Sequence, residues 1–442
     1  MALGGGFWVT QNKPLPGTYH NFVSAQRAFL NLADRGYSAA PIVLKWGQDE
    51  GVFTVTSDDL ITNSLEIFGY DYTAPELKGI RDMFKGASTV FFKKLDLGGT
   101  KASNDFATAK YAGSRGNDIT TIITANVDTP ANFDVVTMLG ALEVDRQLSV
   151  VDATGLVDNP FVVFDKQATL SLTAGTPMTG GGDGTGADSG APHQEALEEL
   201  ESYGFNTIAC LSDVELIKQL YIAYTKRIRD EVGAKFQVVV YNPVTPADHE
   251  GVIEVQNAAN GVDEEVFGLV YWTAGVSAGV NINASNTNKV YNGEHSIDLS
   301  TSNTQNKLID LIKKGKYTFH RVGDTIRVLD DINSFTSFTV DKNEDFGQNQ
   351  LIRIIDQIAI DTANLFNTRY LGKVPNDQDG RISLWNDILT HRLELQRLRA
   401  IQNYDQSKLI IQQGNAKNAV LASEEIEWTS AMTKLYITTV VA

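Results

Sequence analysis

Apolar residues recur at strand or helix spacing along most of the chain, and the pattern changes character as it proceeds. In the first part PIVLKW and VFTVT alternate as short strands, Ser57 to Asp59 offer a cap for a helix through LITNSLEIFG, Thr73 with Pro75 opens another through ELKGIRDMFKG, and STVFFKKL reads as a buried strand. Strands alternating with helices predict an α/β layer. After Gly98 and Gly99, DITTIITANV, FDVVTML, LEVDRQLSV, FVVFDK and ATLSLTAG are strand segments parted by turn residues, which predicts a β-rich unit. Beyond Pro192 the alternation resumes with a helix HQEALEELESYG, a strand NTIACL, a helix from Asp213 to Val232 and a strand KFQVVVYN. The simplest organisation is an α/β domain interrupted by an inserted β domain, with the glycine-rich run Thr179 to Gly190 as a flexible return joint.

Further on, Ile352, Ile355, Ala359, Thr362 and Phe366 stand at three- and four-residue spacing, predicting an amphipathic helix from Gln350 to Tyr370 that ends near Gly372. A second helix, Arg381 to Ile401, follows the turn PNDQDG, and the chain finishes in strands ending SAMTKLYITTVVA. At the opposite end FWVTQNKPLPGTYHNFVS, cut by Pro14 and Pro16, reads as an extended arm.

Composition narrows the picture. A length of 442 residues with 42% hydrophobic content suits two to four domains. The formal net charge of -17 argues against nucleic-acid and anionic-membrane binding, since phosphate contacts need basic clusters. The acidity is uneven, because the stretch from Thr336 onward is nearly neutral, a feature compatible with a partner-facing surface. No apolar run has the roughly 18 to 20 residues of a membrane span, and MALGGGFWVT lacks a basic n-region and a long apolar core, which predicts cytoplasmic synthesis without a signal peptide. The single cysteine, Cys210, excludes an internal disulfide framework and reads as a small buried hydrophobe.

Candidate chemistry is thin. In TGGGDGTGADSG the spacing Gly182, Gly184, Ala187 would permit a dinucleotide loop, but Asp183 and Asp188 repel phosphate and no GK[ST] follows. GVSAG, Gly275 to Gly279, matches the nucleophile elbow of serine hydrolases, yet EEVFGLVYWTAG before it is helical and VNINASNTN after it is loop-like; this reverses the strand-to-helix order that Ser277 would need. A packed, small-residue helix end is the competing reading. PNDQDG carries Asp377 and Asp379 before Gly380, but as a calcium loop it would place Pro375 first and Asn386 twelfth. The six histidines are dispersed. The expectation is no catalytic, cofactor or metal site.

The order of segments resembles contractile tail sheath proteins of phages, prophage-derived particles and R-type bacteriocins, over nearly the whole chain. MALGGGFWVTQNKPLPGTYHNFVS resembles the start of sheath subunits of the PBSX-like kind; ITNSLEIFGY and GASTVFFKKL are similar to the first core segment, and KYAGSRGNDITTII to the family's Y-x-G-x-x-G-N-x-I junction. YWTAGVSAGVNINASNTNKVY, RVLDDINSFTSFT (with Ser334 where Thr is usual) and QLIRIIDQIAIDTANLFNTRYLGKVPNDQDGR, with its GK-x-x-N-x-x-x-GR turn, resemble later stretches. The resemblance implies a structural subunit stacked in helical, hexameric rings around a tail tube, with baseplate and terminator proteins as further partners and no cofactor. It would assemble in the host cytoplasm and contract to drive the tube through a target envelope.

The implied fold class is an α/β core domain with an inserted β-rich domain, an α+β C-terminal domain, and extended N- and C-terminal β-arms. Its expected divisions are a linking arm (1–22), core segments (23–99 and 192–335), an inserted outer domain (100–191), a tube-facing domain (336–427) and a linking strand (428–442). The candidate site is the pair of arms. Leu435, Ile437 and Val441 alternate with Tyr436 and Val440, with no charge after Lys434, while Phe7, Trp8 and Val9 are equally apolar. Both ends are expected to add strands to sheets of adjacent subunits. A non-contractile polymer or surface-layer protein would use such arms equally well; a serine hydrolase would rest on Ser277 alone.

Overall fold

The computed structural model describes residues 35–441; Phe7, Trp8 and Val9 lie outside them. The first segment contains β1 (Tyr37–Ile42), β2 (Phe53–Thr56), α1 (Ser57–Thr62), α2 (Ser64–Phe68), α3 (Lys78–Met83) and β3 (Thr89–Lys94). The predicted single helix through LITNSLEIFG is broken at Asn63, and Gly69 ends it in the left-handed region with φ 76°. Its cap sits one residue earlier than Ser57: the Thr56 hydroxyl accepts from Asp59 N–H at 3.2 Å while the Asp59 carboxylate accepts from Thr56 N–H at 3.1 Å.

The inserted region comprises β4 (Ala107–Ala109), β5 (Ile119–Ala125), β6 (Phe133–Leu139), β7 (Leu142–Val150), β8 (Val162–Phe164) and β9 (Thr173–Pro177). An antiparallel sheet in the order β7-β6-β5-β9 faces the pair β4-β8 across Phe106, Ile119, Ile123, Val135, Leu139, Val162 and Phe164. The segment ATLSLTAG contributes its strand later than its alternation suggests, from Thr173 onward.

The second core segment runs α4 (Gly190–Leu200), β10 (Thr207–Ala209), α5 (Glu215–Arg227), β11 (Gln237–Tyr241), β12 (Val252–Val255), α6 (Leu269–Gly279), α7 (Gln305–Lys313), β13 (Lys316–Tyr317), β14 (Phe319–Val322) and β15 (Thr325–Val328). Seven strands form one sheet, β13-β12-β11-β10-β1-β3-β2, parallel except for β2 at its edge. Because side chains alternate across a strand, Ala40, Ala209, Val239 and Ile253 join one apolar layer with α3 and α6. Their neighbours Ala39, Ile208, Val238 and Val252 join a second layer with α4 and α5.

The remaining elements are α8 (Asn349–Leu365), α9 (Gln378–Arg397), β16 (Ile401–Gln402), β17 (Ile410–Gln413), β18 (Val420–Ser423) and β19 (Glu427–Trp428). The described residues form two compact units: 35–356 with 430–441, and 357–429. The smaller unit pairs β16 with β19 and β17 with β18, both antiparallel, over Tyr370, Leu384, Ile388 and Leu409. Asp377 caps α9 by accepting from Gly380 N–H at 2.8 Å, so the helix starts three residues before the expected Arg381.

The start of α8 is held in the larger unit by buried polar groups. The Asp331 carboxylate accepts from Asn286 N–H (2.9 Å), Asn349 Nδ2 (3.0 Å) and Arg353 Nη2 (2.6 Å), and Arg229 grips Asp356 with two bonds of 2.7 and 2.8 Å. Burial pushes Asp331 upward, but the Arg353 charge and the surrounding donors outweigh it and hold the carboxyl below its ordinary range.

Candidate assembly surface

Ser277 lies inside α6, with only 1% of its surface exposed and its hydroxyl without a hydrogen-bond partner among the described residues. A nucleophile needs a base bonded to it and an exposed position, and among the described residues Ser277 has neither. The glycines flanking it have a different reason. A Cβ on Gly275 would come within 1.8 Å of Met83 O, and one on Gly279 within 1.8 Å of Gly86 O, so α6 presses its bare backbone onto the end of α3. Gly279→Ala is therefore expected to destabilise the larger unit by about 1–3 kcal/mol or more, measurable by urea titration.

The run Thr179 to Gly190 is not the free joint that its composition suggests. Thr179 pairs with Ser103 and Gly182 with Thr100, so the connections into and out of the insertion run antiparallel and bonded. Asn117 donates to Gly181 O and accepts from Gly181 N–H, both at 2.9 Å, and the Asp183 carboxylate accepts from Ser114 N–H at 2.6 Å and from its hydroxyl at 2.8 Å. Glycine at 184, with φ 77°, is required because a Cβ there would meet Leu97 O at 2.0 Å. Trp46, which the sequence did not single out, is fully buried, donates to Glu66 O at 3.1 Å and packs on Tyr111 and Phe161 of the insertion.

The fold gathers one cluster of potential metal ligands among the described residues: Asp230, His249 and Glu250. His249 Nε2 lies 3.2 Å from Asp230 Oδ2 and 4.0 Å from Glu250 Oε2. Its Nδ1, however, accepts from Gly251 N–H at 2.9 Å. A metal on Nε2 would force the ring proton onto Nδ1, against that donor, so the set does not fit a cation. Cys210 is fully buried, which pushes its thiol far up, away from reactivity.

The chain's end is different. Residues 430–441 form no strand, although their pattern alternates, because no ladder partner lies beside them among the described residues. Ala431 N–H donates to Gln350 Oε1 at 2.9 Å. Beyond it Leu435 is 83% exposed, Tyr436 88%, Ile437 74%, Val440 86% and Val441 90%. Isolated exposed apolar residues are ordinary; five within seven positions form a surface that water disfavours.

Three family descriptions match successive parts of the chain: the phage tail sheath protein beta-sandwich domain at residues 98–183, the central domain at 186–334 and the C-terminal domain at 341–442. A solved sheath tail protein from Desulfitobacterium hafniense is 32% identical, with a TM-score of 0.81, covering 95% of this chain and 99% of its own. The chain belongs to the phage tail sheath protein family. The phage-like element PBSX protein XkdK of Bacillus subtilis is 28% identical over 469 residues, 98% of each chain. The helical sheath of the anti-feeding prophage in its contracted state, at 10% identity and a TM-score of 0.55, shares the fold.

This sheath protein is a structural component of a phage-like tail and not an enzyme, and its motifs hold segments of the fold together. In the junction KYAGSRGNDI, Tyr111 meets Trp46 edge-on, Gly113 lets Lys45 O approach to where a Cβ would sit 2.0 Å away, and Asn117 clamps Gly181. In the turn GKVPNDQDGR, Arg381 donates to Asn376 Oδ1 at 2.9 Å, and Asn376 Nδ2 donates to Lys417 O and Ala419 O at 2.9 and 2.7 Å. That turn therefore ties the start of α9 to the hairpin β17-β18.

Proposed function

We propose that this protein polymerises as helical rings around an inner tube, docks on a baseplate, and contracts to drive the tube through a target envelope. Its C-terminal arm would pair with a sheet of a neighbouring copy. The observation that carries the reading is the exposed apolar arm beyond Lys434, in a chain whose other described apolar segments are largely buried. A strand added to a sheet edge gains main-chain bonds in any side-chain environment, so the same joint can survive a large reorientation of the bodies it connects. The hairpin β17-β18 suits the receiving role: among the described residues it has two strands with no third strand on either edge, and Ile410 and Leu421 are each 53% exposed. Family membership and the shared fold of a contracted helical sheath support contraction.

Negative-stain electron microscopy of the protein co-expressed with its tube and baseplate partners tests this. Striated tubes in a long, narrow form and a short, wide form are the expected result. Tubes of one fixed length under every condition would instead support a non-contractile polymer.

A further inference from the structure

The family matches to the central and C-terminal domains end at 334 and begin again at 341, so the stretch between them is the connection from one domain to the other. It does not run free. The loop between β11 and β12 grips it with three consecutive residues. The Asp248 carboxylate accepts from Thr336 N–H at 2.8 Å, from Ser337 N–H at 3.0 Å and from the Ser337 hydroxyl. The Ser334 hydroxyl donates to His249 O at 3.0 Å and accepts from His249 N–H at 3.2 Å. Glu250 binds Lys342 Nζ at 2.6 Å. The loop holds Asp248 at φ 48°, a left-handed conformation that Asp tolerates better than most residues.

We propose that Asp248, His249 and Glu250 form an acid-sensitive latch that fastens the interdomain connection Ser334–Lys342 to the core and releases it on protonation. The buried His249 ring is fixed as the neutral Nε2–H tautomer, because Nδ1 accepts from Gly251 N–H and Nε2 faces Asp230. A second proton has to enter at Nδ1, where it opposes the Gly251 donor. The charged groups around the ring are Asp230 and Arg229 from the turn after α5 and Glu250 beside it; Asp356 of α8 pairs with Arg229, and Lys342 with Glu250. A charged ring would draw Glu250 away from Lys342.

Burial lowers His249 below its ordinary 6.5, with the Arg229 charge acting in the same sense and the two carboxylates against it. Asp248 and Glu250 are also lowered: burial opposes ionisation, and their hydrogen bonds outweigh it. A group whose folded pKa is depressed adds stability above its unfolded value and loses it as pH falls through the folded one. All three contributions therefore vanish in the same direction, the histidine's first, below about 6.5, and the carboxylates' at lower pH.

Hydrogen–deuterium exchange of the unassembled full chain tests the latch without relying on polymerisation. Protection of residues 335–342, normalised to intrinsic rates, is expected to fall about tenfold between about pH 7.5 and about pH 5. Protection of β11 should hold over the same range. In His249→Asn, whose Oδ1 can still accept from Gly251 N–H and does not titrate there, the connection should stay protected at both values. Asp248→Asn should lower protection at both. Unchanged wild-type protection, a parallel loss in β11, or an equal acid response in His249→Asn would each overturn the proposal; should that variant misfold, the wild-type series with its β11 control decides alone.

Discussion

A chain cut after Thr429 is expected to fold with an unchanged far-ultraviolet spectrum and to remain dispersed at concentrations where the intact protein forms tubes. Among the described residues the cut removes the hydrogen bond from Ala431 to Gln350 and six large apolar side chains, Met432 included, that are mostly in water. Burying two such side chains in a neighbour at about 1.5–3 kcal/mol each corresponds to a factor of roughly a hundred or more in critical concentration. Sedimentation velocity against total concentration measures it. Ile437→Pro sharpens the result: it keeps an apolar surface but deletes a main-chain donor, so it should weaken assembly strongly if the arm pairs as a strand. Normal assembly of both variants would rule out the arm as the joint.

The second large effect concerns the anchorage of α8. Asp331→Ala is expected to cost about 3–5 kcal/mol of stability, because it strands the buried Arg353 guanidinium without its counter-charge. It also unsatisfies Asn286 N–H and one contact of Asn349 Nδ2. Chemical denaturation followed by tryptophan fluorescence should show the loss in the larger unit, which contains Trp46 and Trp272. A change under 1 kcal/mol would mean that the network is replaceable by solvent.

Where an element is long enough to carry an uninterrupted apolar run, it was legible. STVFFKKL became β3 and KFQVVVYN, buried on both faces, became β11. What escaped was set by distant partners. The strand β13 has two residues, and its Lys316 is buried because Glu254 on β12 meets it at 2.6 Å, which no local pattern announces. The segments β12 and α7 passed unread, the first being short and buried throughout. The glycine run was taken as a loose joint because composition records freedom in the unfolded chain. Asn117, Ser114 and Leu97, which remove that freedom, lie far off in sequence. For the assembly site, the apolar spacing of Leu435 to Val441 was visible, and the single chain leaves those side chains in solvent. In the proposed assembly its partner belongs to another molecule, which a single sequence does not display.

The paired entrance and exit of the β insertion carry a practical consequence. Since Ser103 and Thr179 sit opposite one another as bridge partners, their Cα atoms are about 5 Å apart, the gap a short hairpin turn spans. An unrelated module whose own termini meet at that separation could be spliced there in place of the natural one, leaving the seven-stranded sheet and its helices uncut. Such a splice would also take away Tyr111, Phe161 and Asn117, so the incoming module would have to cover Trp46 and bind Gly181 in their place.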